Sequence, residues 1–332
     1  MTRLSGGQRA APRLGGTAAR LSWFLGAVGI ALAVAPVAGG GSPGEPRFRP
    51  WTATPGAAAG GQYHYSLTAR VRPLMFWITR KGVGTGRIVR SADEAGNPFY
   101  ELLIGSDPAR APLHINRWGY VAEVHRDGGA EILGVMTEAD EQTVDAASKA
   151  VEAGAAGDHR FKAIRASVGE GEASAQVIRV SLAENLTLGD LGELLGRLPE
   201  GGQATARLSL PGNVHPGFLG AVAGLVAESA DAARAGNRGG PGPRASYVWD
   251  RNLYDLTCTS RPAAARAASG DGGGACASCL ETEFRIRNRA TGNKSGFRLT
   301  YPTDGPHAGI PVRIVYRPRW WFEVELTLKE AR

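Results

Sequence analysis

Short apolar segments with a period of two, each ended by glycine or proline, restrict the fold of this chain more than any other feature. The clearest segment is 62–72, in which Tyr63, Tyr65 and Leu67 alternate with polar side chains. Such alternation is typical of a strand with one buried face. Because the 332 residues include 47 glycines and 20 prolines, we expect few long uninterrupted helices. We therefore expect strands and turns to dominate.

The same pattern predicts the other elements. Further strands are predicted over 87–90, 99–104, 118–124, 131–136, 159–168, 173–182, 246–259, 283–289, 295–301, 312–316 and 320–328. The wholly apolar segment Leu74–Ile78 indicates a position at the centre of the core. Helices are predicted over 137–151, from Thr187 to Leu198, and from Pro216 onward. Strands, then helices, then strands predict an α+β fold, mostly antiparallel sheet with about three helices and a C-terminal all-β lobe.

Changes in composition divide the chain into segments. Residues 39–61 are rich in glycine, proline and alanine and predict a flexible linker before an α+β domain over 62–235. Residues 236–244 resemble a second linker, and 245–332 would form the antiparallel β lobe. The alternative is a single domain, in which the strand after this linker rejoins the first sheet.

The first 38 residues have the parts of an export signal. Four arginines and no acidic residue precede or open this segment, and Leu21–Ala38 then holds 18 residues without a charge. The alternative is an uncleaved membrane anchor, although 18 residues with Pro36 near the end are at the short limit for spanning a bilayer. Both alternatives predict an exported protein that is periplasmic, extracellular or anchored facing outward.

The charge distribution limits the partners to expect. Removing the four leader arginines from 38 basic side chains leaves 34, against 31 acidic ones. A nearly balanced remainder gives little support to nucleic acid as a partner. We expect an envelope protein, a glycan or an anionic headgroup instead, with membrane contact only if residues 21–38 stay uncleaved.

The three cysteines are compatible with export. The expected arrangement is one structural disulfide from Cys258 to either Cys276 or Cys279, with one thiol left over. The alternatives are incidental free thiols, redox chemistry at Cys276 and Cys279, or a zinc site completed by Cys258 and His307. The cysteine spacing matches no standard zinc pattern. We therefore expect no metal and no cofactor.

The long connection Gly105–Arg117 gathers most of the side chains that could carry chemistry. It contains Asp107, Arg110, His114, Asn116 and Arg117. Asp107 and His114 are candidates for a general acid/base pair. Arg110, Asn116 and Arg117 are candidates for binding an anionic group. The alternative is an ordered structural loop, in which Asp107 starts a turn and the arginines pair locally.

The C-terminal strands predict a basic outer face. Arg285, Arg287 and Arg289 alternate with inward-facing residues, and cross-strand pairs with glutamates are the alternative to ligand binding. A period of two sends Trp320 to the core and Trp321 outward, where Trp321 could stack on a sugar or a partner side chain.

No hydrolase motif occurs in the sequence. The leading hypothesis is therefore an exported, non-enzymatic binding or structural module of the cell envelope. The alternative is an envelope hydrolase whose site lies on the 105–117 loop.

Overall fold

The computed structural model describes residues 61–72, 76–92, 95–111, 116–138, 159–198, 206–237, 241–263 and 278–331. The strands of this part are β1 (Gly61–Val71), β2 (Ile78–Ala92), β3 (Pro98–Ser106), β4 (Trp118–Arg126), β5 (Gly129–Thr137), β6 (His159–Val168), β7 (Glu172–Leu182), β8 (Ala206–Ser209), β9 (Val214–His215), β10 (Pro241–Trp249), β11 (Asn252–Pro262), β12 (Cys279–Asn288), β13 (Lys294–Pro302), β14 (Arg313–Arg319) and β15 (Phe322–Ala331). The helices are α1 (Leu191–Arg197), which follows a 3-10 helix over Leu188–Asp190, and α2 (Phe218–Arg234).

All fifteen strands belong to one sheet, in the order β8-β7-β6-β5-β4-β3-β2-β1-β15-β14-β13-β12-β11-β10-β9. Neighbouring strands are antiparallel except β9 and β10. The two edge strands, β8 and β9, are separated in sequence by only residues 210–213. Such a connection spans at most about 18 Å at about 3.6 Å per residue. The two edges must therefore lie close together, and the sheet curls around its inner face.

The main core fills the space inside the curled sheet. Inner side chains from both halves of the sheet, among them Tyr65, Ile164 and Phe284, form one buried cluster with α2. At the end of β10, the indole of Trp249 crosses to β5, where a Cβ built on Gly134 would lie 2.4 Å from the ring. A glycine at position 134 thus leaves room for the tryptophan that ties the two halves together.

A second core covers the outer face of the first half of the sheet. The 3-10 helix and α1 pack there through Leu188, Leu191 and Leu194 against a buried layer that includes Trp118 and Phe161. The capping box of Thr187 and Asp190 begins this helical segment. The outer face of the second half carries arginine and glutamate side chains instead.

The fold class expected from the sequence is wrong. The strands before and after the helices continue a single hydrogen-bonded ladder, so the described part is one large sheet with two α-helices and not an α+β fold with three. The helices predicted after Thr187 and at Pro216 are confirmed. The helix predicted over 137–151 lies almost entirely outside the described residues, as do residues 1–60.

The strand predicted over 246–259 is two strands. Asp250 and Arg251 have φ angles of 44° and 60°, and they form the tight turn between β10 and β11. Two consecutive left-handed residues are the geometry of a two-residue hairpin turn. Asp250 is buried and pairs with the ammonium group of buried Lys162 on β6. The turn is therefore tied to the opposite half of the sheet.

Two predictions about aromatic residues are also wrong. Of the segment Leu74–Ile78, the first two residues lie outside the described part. Phe76, Trp77 and Ile78 are exposed and not in the core, because they lie where β1 has ended and β2 begins. Trp321, expected on the surface, is buried, whereas Trp320 is exposed. These two tryptophans form the turn between β14 and β15, so the alternation of β15 does not extend to them.

Candidate functional site

An apolar cavity of about 300 Å³ lies between α2 and the inner face of the sheet. The sheet side is formed by strands β2, β3, β13, β14 and β15. Their inward side chains at the cavity are Ile88, Leu102, Ile104, Phe297, Leu299, Ile314, Tyr316, Val324 and Leu326. Every second residue of these strands faces the cavity, as the pleat of a strand requires.

The helix contributes a stripe of apolar side chains in which alanines are frequent towards the C-terminus. Its apolar members are Phe218, Leu219, Val222, Ala223, Val226, Ala227 and Ala230, and Asp231 and Arg234 follow at the rim. Residues at this spacing lie on one face of a helix. Alanine side chains are too short to reach the sheet, and the space between helix and sheet therefore stays open.

The rim of the cavity is exposed and charged. Arg90, Asp231, Arg234 and Ala308 line it and are exposed. Arg234 pairs with Asp231, while Arg90 has no carboxylate within 4.0 Å in the described part of the chain. The cavity thus combines an apolar interior with a net positive rim, which suits a ligand that has an apolar chain and an anionic group.

A buried carboxylate fixes the start of α2 on the sheet. Glu123 on β4 is fully buried and accepts hydrogen bonds from the backbone N–H groups of Leu219 (2.7 Å) and Gly220 (2.9 Å). A carboxylate at this position satisfies free N–H groups and interacts favourably with the helix dipole. A Cβ on Gly217 would lie 2.3 Å from the Glu123 Oε2 atom, so only glycine allows this approach.

Two histidines extend this polar cluster towards the cavity. His125 Nε2 lies 3.1 Å from Glu123 Oε2, and its ring centroid is 5.6 Å from that of His215. Burial and the charge of His125 lower the pKa of His215. Tyr100, which lines the cavity, packs edge-on against His125 at 5.3 Å. The anchor of α2 is therefore in direct contact with the cavity wall.

The described part of the 105–117 loop is held by local interactions. Asp107 accepts a hydrogen bond from the Ala109 N–H (3.0 Å) and lies 3.4 Å from the Arg110 Nε atom. His114 lies outside the described residues, so its proposed pairing with Asp107 stays a prediction.

The other candidates on this loop face inward or along the backbone. Asn116 is buried and donates to the Leu186 carbonyl (2.9 Å), which ties the loop to the segment before the 3-10 helix. Arg117 donates from Nη1 to the Asn116 carbonyl (2.8 Å). These contacts describe a loop that positions neighbouring elements, and their role in binding stays a prediction.

A basic groove of about 1180 Å³ crosses the outer face of β10–β14. Arg285 pairs with Glu283 at 3.0 Å, and Arg289 pairs with Asp255 at 2.7 Å. Arg287 and Lys294 also line the groove. The predicted ladder of arginines is therefore present, and part of it is paired with carboxylates on the same face.

The cysteine prediction changes at Cys258. This residue is a free, buried thiol whose Sγ atom lies 3.4 Å from the Pro243 carbonyl and 3.7 Å from the Ser229 hydroxyl. The expected disulfide from Cys258 is wrong, because β11 and α2 enclose the thiol. Cys279 is disulfide-bonded, and Cys276 lies outside the described residues.

No group of three or more His, Cys, Asp or Glu side chains among the described residues is arranged to hold a metal ion. No helix there has the length and apolar character needed to cross a membrane.

The sequence indicated neither the cavity nor the role of Glu123. Glu123 sits in a strand that is apolar at nearly every other position, and its partners are 96 and 97 residues away. The signal available in the sequence is the stripe of small residues in α2, which recurs at helical spacing. That recurrence indicates a helix face with short side chains at several positions.

Comparison with known proteins finds similarity among solved structures. No family model matches the chain, and no curated protein matches it. The crystal structure of a β-barrel-like protein from Brucella abortus, a domain of unknown function (DUF1849), matches with a TM-score of 0.44 and 10% sequence identity. The match covers 83% of this chain and 98% of that chain.

Proposed function

We propose that this protein is a non-enzymatic binding protein of the cell envelope that holds the apolar chain of an anionic amphiphile between α2 and the sheet. The observation that carries this proposal is the small-residue stripe of α2, which leaves an apolar cavity with an exposed rim. Placement in the envelope is supported by the export signal expected in residues 1–38.

The size of the cavity favours one chain over two. A volume of about 300 Å³ is at the lower end of the range of about 300–1,000 Å³ typical of small-molecule sites. Burying a methylene group contributes about 0.8 kcal/mol. A single chain of about ten methylenes therefore provides about 8 kcal/mol before the cost of association.

The charge of the rim favours an anionic headgroup. Arg90 lies on the same face of β2 as Ile88, at the end of the apolar lining. An amphiphile whose chain enters beside Ile88 would place its headgroup next to the Arg90 guanidinium. Arg234 adds a second cation on the helix side, although Asp231 is paired with it.

The proposal is tested by displacement of a fluorescent fatty acid from the full chain. Ala223→Trp fills the cavity and should weaken binding at least about tenfold, since the indole occupies the volume of the ligand chain. The matched control is Gly224→Trp, because a Cβ on Gly224 has no atom within 4 Å. The control should bind the probe as the wild type does. Equal binding by all three proteins would refute the site.

The headgroup is tested separately. Arg90→Glu should weaken binding of a fatty acid but not of the fatty alcohol of equal chain length, since only the acid has a charge to lose. Native mass spectrometry of the protein recovered from its cells should show a bound amphiphile. If the wild type binds neither acid nor alcohol, the cavity is not a lipid site.

A further inference from the structure

The large apolar side chains that are exposed in the described part of the chain are all in one place. They are Phe76 (61% exposed), Trp77 (37%), Ile78 (43%) and Trp320 (65%). We call these four residues the aromatic tip. Soluble proteins rarely expose several large apolar side chains together unless the patch contacts a partner.

Strand pairing brings the tip together. Val71 at the end of β1 pairs with Ile78 at the start of β2 and with Phe322 at the start of β15. The Arg72 N–H donates to the Trp321 carbonyl at 2.7 Å. The adjacent strands β2, β1, β15 and β14 therefore each have one end on the same side of the sheet. The turn that contains Trp320 lies there, beside Trp77.

Arg317 joins the two parts of the tip. Its guanidinium carbon lies 4.9 Å from the centroid of the Trp77 ring, and its Nη2 atom donates to the Trp320 carbonyl at 2.9 Å. A cation over an indole face is a favourable arrangement that also keeps the guanidinium at the surface. The tip is thus an ordered structure with a charged margin.

Cations outnumber carboxylates in the two segments that carry the tip. Residues 70–81 and 317–323 contain six cations and one carboxylate. The carboxylate, Glu323, lies 3.1 Å from the Arg70 guanidinium. The other cations of these two segments are Arg72, Arg80, Lys81, Arg317 and Arg319. Glu325, just beyond the second segment, also pairs with Arg70. Tryptophans with basic residues beside them are typical of protein segments that contact the lipid–water interface.

We propose that the aromatic tip inserts into the surface of a bilayer that contains anionic lipids. The tryptophans and Phe76 would enter the headgroup region, and the surrounding arginines would remain at the level of the lipid phosphates. The charge favours a membrane over a protein partner. The cores of protein interfaces are depleted of charged residues, whereas this tip is bordered by cations on two segments, as suits an anionic lipid surface.

This proposal does not depend on the cavity. The tip is formed by the ends of β1, β2, β14 and β15, whereas the exposed rim of the cavity includes the C-terminal part of α2 and residue 308. It also revises an expectation from the sequence, because the tip would contact a membrane even after cleavage of residues 21–38.

Vesicle flotation of the full chain tests the proposal. The vesicles contain either phosphatidylcholine alone or phosphatidylcholine with phosphatidylglycerol. The double variant Phe76→Ser/Trp320→Ser should bind the anionic vesicles about tenfold less than the wild type, because two apolar side chains no longer enter the interface. Every variant keeps the same residues 1–60, so the difference reports the tip.

A charge reversal provides a matched control. Arg317→Glu should weaken binding to anionic vesicles about 25-fold, since each cation near such a surface contributes about fivefold. Arg287→Glu makes the same change at an exposed position on the outer face of β12, away from the tip. Arg287→Glu should reduce binding by less than a third of the factor found for Arg317→Glu. Equal losses in the two variants would show that the whole protein is attracted to the anionic surface by its overall charge, and they would overturn the proposal.

Tryptophan fluorescence gives a readout specific to the tip. Lipids brominated on the acyl chains should quench part of the emission of the wild type, and Trp77→Phe/Trp320→Phe should lose that part. Unchanged quenching would overturn the proposal. A dimer in sedimentation that becomes monomeric in Phe76→Ser/Trp320→Ser, without a change in flotation, would instead show that the tip binds a second copy.

Discussion

The two halves of the sheet differ in what covers their outer faces. In the first half, β4 and β5 are buried on both faces, because the 3-10 helix and α1 cover the outer side. In the second half, β12 alternates between buried and exposed residues, and its outer side carries arginines and glutamates. A sheet with one core inside thus has a second core on only one of its halves.

This difference explains where the sequence pattern is clear. A strand covered on one face shows a period of two, whereas a strand covered on both faces is apolar throughout. The segment 118–124 was therefore recognisable as a strand, but its sequence did not show which face was inner. Glu123 is the exception in that strand, and it is polar because it binds the start of α2.

The largest loss of stability is expected at the ion pair between Lys162 and Asp250, which joins the two halves of the sheet. Lys162→Met should lower the free energy of unfolding by about 4 kcal/mol, because it leaves the buried Asp250 carboxylate without its cation. Urea denaturation measures this change. Lys162→Met/Asp250→Asn should recover part of the loss, since asparagine carries no charge and tolerates the positive φ of the turn. A double variant less stable than the single one would contradict the argument.

The second prediction compares the contributions of the two outer faces to the free energy of unfolding. Leu194→Ala removes a fully buried side chain of α1 and should cost about 3 kcal/mol of stability. Arg285→Ala on the outer face of the second half should stay within about 0.5 kcal/mol, because its ion pair is exposed. Thermal and urea unfolding of both variants provide the comparison. Similar losses would mean that both outer faces contribute equally to stability.

The smallest effect is a pH dependence at the inner face. The pKa of His215 is lowered by burial and by the charge of His125. Between that pKa and the unfolded value of about 6.5, the unfolded state binds more protons. The stability contribution is therefore complete above about pH 6.5 and decreases as the pH falls below it. His215→Asn should make the loss between pH 7 and pH 5.5 smaller in urea titrations, and an unchanged loss would exclude His215 as its source.

The arginines of the sheet show which ion pairs the sequence could predict and which positions it could not. Cross-strand pairs between arginine and glutamate were expected, and Arg70 pairs with Glu323 and Glu325 while Arg313 pairs with Glu325 at 2.9 Å. Burial raises the pKa of Glu325, but its hydrogen bonds to Arg313 and the nearby cations lower it overall. Which arginines would border the tip was not predictable, since that depends on where the strands end.

The candidate site was largely hidden from the sequence. The sequence indicated the 105–117 loop as the candidate site, because Asp107, Arg110 and Asn116 lie within a few residues of one another. The cavity is instead made of inward side chains from five strands and one helix, each of which is ordinary in its own segment. Only the curling of the sheet places Arg90 and α2 on the same opening.

The sequence by itself determined most strands, the two described helices and the basic character of the C-terminal strands, because these follow from periodicity and charge within short segments. The tertiary structure alone decided that all strands form one curled sheet, that Trp321 is buried while Trp320 is exposed, and that Cys258 stays a free thiol. The physical reason is the distance along the sequence over which the determining interactions act. Secondary structure is set by neighbours a few residues away, whereas closure of the sheet, the cavity and the aromatic tip depend on contacts between residues up to about 250 positions apart, such as Arg70 and Glu323.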